Sequence, residues 1–155
     1  MEGCTSRDRK TIYVDEWLAD RRESRYRFTL AHEVGHISLH AQIFERLQDE
    51  GSTPEQWRAF LGQLSEPNRL KIEFQAYTFA GLVLVPPHHL THEYKRSAVE
   101  VRRMIAAPSL EDVPHEKVIE IAWDKLTEMI SAPFNVSREV IYRRLKFDGF
   151  KPENL

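Results

Sequence analysis

Apolar positions recur with a helical period over most of this chain, and with a strand-like pattern in one place only. TIYVD (Thr11 to Asp15) is the clean strand signal, being β-branched and aromatic. From about Ser24 to Leu47, the residues Leu30, Val34, Ile37, Ala41 and Phe44 fall on one stripe, which predicts a helix. DEGSTPEQ breaks the pattern. Ser52 or Thr53 can cap a short helix there, with Pro54 at its first position, running to about Leu64. Pro67 opens another helix that ends before Pro86 and Pro87, and PPHHLTHEYK after it reads as a linker. Beyond it, Glu100 to Ala106, Glu116 to Ile130 and Ser137 to Leu145 are patterned as helices, punctuated by Pro108, Pro114 and Pro133. The pattern therefore predicts an α+β class: mostly helical, with a small N-terminal sheet.

Composition narrows the functions rather than the fold. A chain of 155 residues, 41% hydrophobic and 30% charged, has the make-up of one globular domain with a real core. A formal net charge of −2 supplies no basic field for nucleic acid. Cys4 is the single cysteine, so no internal disulfide or cysteine-rich zinc cluster can form. MEGCTSRDRK reads as a polar tail without the apolar core of a signal peptide, with Cys4 inert in it. The longest apolar run, AGLVLV, is too short to span a bilayer. A cytoplasmic location is expected.

The chemistry concentrates in FTLAHEVGHISLH, Phe28 to His40, which contains an H-E-x-x-H sequence. Residues four apart share a helix face, so the imidazoles of His32 and His36 can converge on one ion. Glu33 points about 100° round the helix, too far for a third ligand but within reach of a water beside the metal. With Leu30 at zero, the apolar stripe spans about 80° while His32 and His36 sit at about 200° and 240°. The ligand face is thus expected opposite the core stripe, at a cleft. Gly35 inside the motif permits close approach by another segment. The pattern of a longer zinc motif needs glycine at position 39 and histidine at 42, where this chain has Leu39 and Gln42. His40 is then a supporting residue or a plain polar helix position, the first being favoured over a direct ligand.

A catalytic zinc ordinarily keeps three protein ligands and one open position. Glu45, Asp49, Glu50, Glu55, Glu66, His88, His89 and His92 lie in polar or turn-like surroundings, whereas Glu73 shares a helix face with Ala76, Tyr77, Ala80 and Leu84. A carboxylate in an apolar stripe needs a partner, and either a metal or an arginine would serve.

HEVGHISLH followed by IEFQAYTFAGLVLVP resembles the ImmA/IrrE family of metallo-endopeptidases. The family's second motif reads approximately E-x-x-A-N-x-F-A-x-x-L-L-x-P, matched here by Glu73, Ala76, Phe79, Ala80, Val83, Leu84 and Pro86. RFTLAHEVGH and FNVSREVIYRRL resemble its flanks, so the likeness covers roughly Thr11 to Leu145. Carried over by position, it implies a zincin-like fold with the small sheet packed on the H-E-x-x-H helix. It also implies His32, His36 and Glu73 as metal ligands and Glu33 as the catalytic glutamate. The implied ion is zinc, with manganese as the alternative. The implied substrate is a helix-turn-helix transcriptional repressor, as in stress response or mobile-element induction. Tyr77 stands where the family has asparagine, and the loop between the motifs is fairly long. The family commonly has more chain upstream, so a trimmed or minimal sheet is expected.

On this reading residues 1–155 are a single metallopeptidase domain, with about 134–147 a helix-turn-helix-like segment packed on it. The oxyanion donor is open among Tyr77, His88, His89, His92 and Tyr94. The alternative function is a non-catalytic metal-binding regulatory module, or a DNA- or protein-binding one. In that case Arg138, Arg143, Arg144 and Lys146 would contact phosphates from the helix capped by Ser137. The favoured reading of that helix is docking through Val140, Ile141 and Leu145, with solvated arginines. Arg21 to Arg27 reads as a solvated helix start, or a rim for an acidic partner.

Overall fold

The computed structural model describes residues 2–6, 8–46, 55, 59, 62–107 and 110–152. The chain divides into two compact units, Met1–Val83 and Leu84–Leu155.

The first unit opens with two short antiparallel strands, β1 (Gly3–Thr5) and β2 (Ile12–Val14), in the register Gly3↔Val14, Cys4↔Tyr13 and Thr5↔Ile12. β2 is the expected strand. β1 corrects the reading of the N-terminus as a polar tail, and its Cys4 is buried. The turn is tied by side chains: the Thr11 amide donates to Ser6 Oγ, and Ser6 Oγ and the Lys10 amide both donate to Asp8 Oδ1. These bonds hold the Asp8 carboxyl below its ordinary pKa, the Ser6 hydroxyl contributing most.

Helix α1 (Glu16–Arg21) is capped by Asp15, whose carboxylate accepts from the Trp17 amide. α2 (Glu23–Leu39) follows and carries the H-E-x-x-H motif; α3 (Ala41–Arg46) succeeds it after a break at His40. The expected helix is thus divided at one residue, with His40 at φ −119°, ψ 27°. The short helix expected up to about Leu64 falls largely outside the described residues. α4 (Glu66–Leu84) then runs to the edge of the unit, as Pro67 and the Pro86-Pro87 pair predict.

The buried face of α2 differs from the predicted stripe. Val34 is exposed, while Thr29, Ala31, Glu33, Gly35 and His36 are buried. The hydrophobic period failed because this helix turns a partly polar face inward, and those polar groups find partners there. Gly3 and Gly35 make the packing possible. A Cβ at position 3 would lie 2.5 Å from Thr29 Cγ2 and 3.4 Å from Glu33 Cγ, so glycine lets β1 sit directly on α2. A Cβ on Gly35 would come within 3.2 Å of the Ala76 backbone and 3.1 Å of Phe79 Cδ1. Gly35→Val is therefore expected to cost about 1–3 kcal/mol, the range for overpacking a filled site, as read by denaturant unfolding. An unchanged midpoint would show that α2 and α4 do not meet there.

The second unit is helical: α5 (Pro87–Ile105), α6 (His115–Phe134) and α7 (Arg138–Phe147). PPHHLTHEYK is not a linker. Pro86 is extended at the N-cap and Pro87 occupies the first turn, where its missing amide hydrogen costs nothing. α5 buries Leu90, Ala98 and Val101 against Ala122, Leu126 and Ile130 of α6 and Ile141 and Leu145 of α7. Pro133 lies inside the last turn of α6 rather than ending it, and Asn135 closes the helix in the left-handed conformation. Ser137 caps α7, which docks through Ile141 and Leu145 as expected. Its arginines were expected to be solvated, which holds for Arg138, meeting Asp124 and Glu128, and for Arg143, meeting Glu139, but not for Arg144, which is buried because it bonds both oxygens of Asp148. No helix among the described residues is long and apolar enough to cross a membrane.

Candidate metal centre

Helix periodicity stacks His32 and His36 one turn apart on α2, with their rings edge to face and centroids 4.6 Å apart. Their Nε2 atoms face each other at 3.0 Å. Glu73 reaches in from α4, its Oε2 at 3.3 Å from His32 Nε2 and its Oε1 at 3.7 Å from His36 Nε2. A tetrahedral zinc with bonds of about 2.0–2.2 Å separates its donors by about 3.3–3.6 Å. The separations here, 3.0 Å between the two Nε2 atoms and 3.3 and 3.7 Å from them to the two different oxygens of Glu73, lie around that spacing. Among the described residues, these three form the one group of three or more His, Cys, Asp or Glu able to share an ion. The donor set fits: two imidazoles and a carboxylate suit zinc, and two facing ring nitrogens need a proton or a cation between them.

The electrostatics keep two of these groups in their ligating forms. Burial, with His32 alongside, pushes the His36 pKa down to about 4, so the ring is neutral at neutral pH. Its approach to Glu73 is therefore not an ion pair there, although the separation alone would allow one. A hydrogen bond from His32 holds the Glu73 carboxyl below its ordinary range against the opposing effect of burial. Half-buried on α4, Glu73 sits next to fully buried Ala76 and Ala80, while Tyr77 of the same expected face is half exposed.

Glu33 behaves in the opposite sense. It is buried on α2 between the two histidines in sequence, and burial raises its pKa. Thr5 Oγ1 donates to Glu33 Oε2 at 3.0 Å and opposes that rise. β1 thus lays a hydroxyl on the carboxylate, a contact that sequence reasoning missed because GCT sits unmarked within polar residues.

His40 is buried and stands behind the pair rather than in it. Its Nδ1 lies 3.0 Å from His36 Nδ1, and its Nε2 lies 3.0 Å from Gln75 Oε1. Gln75 was also missed; nothing in its sequence context marks it. Tyr77, in the place of the family's asparagine, has its ring centroid 4.5 Å from that of His32 and 5.8 Å from that of Phe28. His32 Nδ1 is buried with no hydrogen-bond partner among the described residues. His88, His89, His92 and Tyr94 lie on α5 of the second unit.

Neither the curated proteins nor the solved structures yield a match to this chain. A family match does exist, over residues 3–146, to the IrrE N-terminal-like domain of a peptidase family. It takes in both motifs and nearly all of the chain, which makes a metallopeptidase-type activity the function of its class. On that extent of match, the chain belongs to the IrrE N-terminal-like peptidase family.

Proposed function

We propose that the chain is a metal-dependent endopeptidase in which His32, His36 and Glu73 hold one zinc ion, or manganese in its place, and Glu33 is the general base. The observation that carries this reading is the convergence of two Nε2 atoms and the Glu73 carboxylate on one point. When bound, the ion would polarise the scissile carbonyl and make the attacking water more acidic. The chain's own groups supply the proton traffic. Glu33 takes a proton from the attacking water and delivers it to the leaving amine. Its raised pKa suits a carboxylate that must hold that proton between the two transfers. Thr5 Oγ1 holds one oxygen of this carboxylate, Oε2, in place.

The proposed substrate is a helix-turn-helix transcriptional repressor in the cytoplasm, a reading that rests on the family likeness and the lone cysteine. Incubating the zinc-loaded chain with helix-turn-helix repressors from its own source tests it. Discrete fragments are expected that disappear with chelator. Cleavage that persists after the metal is stripped would overturn the proposal.

The contact from β1 gives a pH prediction. Glu33 must be ionised to accept a proton, so kcat/KM rises as pH passes its pKa. The Thr5 hydrogen bond lowers that pKa. Thr5→Val removes the bond, raises the pKa and is expected to move the acidic limb of the profile to higher pH. An unmoved limb would mean that the group setting it is not Glu33.

A further inference from the structure

His40 is not among the three ligating residues, yet it is buried and joined at both ring nitrogens. The direction of those two bonds follows from the far end. Gln75 presents its carbonyl oxygen, which can only accept, so His40 Nε2 carries the hydrogen. The other nitrogen of a neutral imidazole is then a lone pair, so His40 Nδ1 accepts from His36. His36 in turn carries its hydrogen on Nδ1, leaving Nε2 as the lone pair that faces His32 Nε2 and Glu73. The opposite order would aim two lone pairs at each other between His40 and Gln75. It would also place a hydrogen on the nitrogen that must bind the ion.

We propose that Gln75 and His40 form a positioning pair that locks His36 in its Nδ1–H tautomer, with the Nε2 lone pair directed at the metal point. Neither residue touches the ion or the substrate. The device rests on the metallopeptidase reading for its purpose, while the tautomer itself is a property of the metal-free chain. Outer partners of this kind typically change metal affinity by about 10–100-fold. His40 is the C-cap of α2, and its Nε2 meets Gln75 of α4, two residues beyond Glu73.

Gln75 is exposed, so substitutions there test the pair without disturbing the core. The chain is labelled with nitrogen-15 at histidine, and long-range proton–nitrogen spectra assign the His36 tautomer without metal. Zinc affinity is measured separately by competition with a chromophoric chelator. In the wild type, His36 is expected as Nδ1–H. Gln75→Leu is expected to return it to a tautomer mixture and to weaken zinc about 10–100-fold, whereas Gln75→Glu, which still accepts, restores both. Adding Gln75→Leu to His40→Leu should cost no more than His40→Leu alone, because Gln75 acts only through His40. An Nε2–H tautomer in the wild-type apo chain would overturn the proposal. So would a Gln75→Leu chain with unchanged tautomer and zinc affinity. If the wild type bound no zinc but showed the Nδ1–H tautomer under Gln75 control, the pair would stand and the metallopeptidase reading would fall.

Discussion

Glu33→Gln is expected to lower the rate of substrate cleavage by about 10²–10⁴-fold, the range for loss of a positioned acid–base group, while leaving zinc content unchanged. Glutamine matches the shape of glutamate and can still accept the Thr5 hydroxyl, so the contact between β1 and α2 survives. It cannot take a proton from water at neutral pH. The substitution should not destabilise the fold, and the unfolding midpoint is expected to hold or rise. The carboxylate of Glu33 is buried, and burial is the main cause of its raised pKa, so a neutral group removes a desolvation cost. Cleavage and thermal unfolding on one preparation separate these effects. A variant that cleaves like the wild type would place the base elsewhere.

The second large effect is at Glu73. Glu73→Ala leaves two imidazoles on one helix and removes the only negative charge of the set, so zinc affinity is expected to fall by more than about 100-fold. That lies beyond the usual cost of losing an outer partner. Glu73→Asp keeps the charge but withdraws the carboxylate by one methylene, and an intermediate loss is expected. Equilibrium dialysis with metal analysis reads both. The carboxylate of Glu73 reaches across to α2, within 3.7 Å of both ring nitrogens. Wild-type affinity in Glu73→Ala would show that another group completes the site.

How far the amino-acid sequence disclosed this arrangement follows from what kind of signal each element carried. His32 and His36 were legible because a four-residue spacing on a helix has only one geometric outcome. Glu73 stood out as a carboxylate among Ala76, Ala80 and Leu84, a placement that demands a partner, but only the likeness to the family's second motif pointed to a metal rather than an arginine. α4, α6 and α7 announced themselves by apolar period and by proline or serine at their starts. The face of α2 did not. Its inward side carries Thr29, Glu33 and His36, of which Glu33 is bonded by Thr5 and His36 by His40, and no hydrophobic count can see such pairing. β1 is three residues held by pairing with β2, a long-range cause absent from its own composition. The start of α5 was hidden by a proline pair read as a stop, although the second proline suits a helix beginning.

The pair behind His36 had the faintest signal of all. His40 showed only as a third histidine at the same interval, and Gln75 showed as nothing. Their roles emerge from two contacts of 3.0 Å that join α2 to α4. The same two helices meet at Gly35 and Ala76, so the packing that brings Glu73 to the histidines also brings Gln75 to His40.

The proposed metal centre requires His32, His36 and Glu73 to hold one ion together. Metal content of the dialysed chain, measured for the wild type beside His36→Ala and Glu73→Ala, tests it most directly. About one zinc per wild-type chain is expected and little in either variant, with all three folded by circular dichroism. Stoichiometric zinc retained by both variants, or none in a folded wild type supplied with zinc, would contradict it.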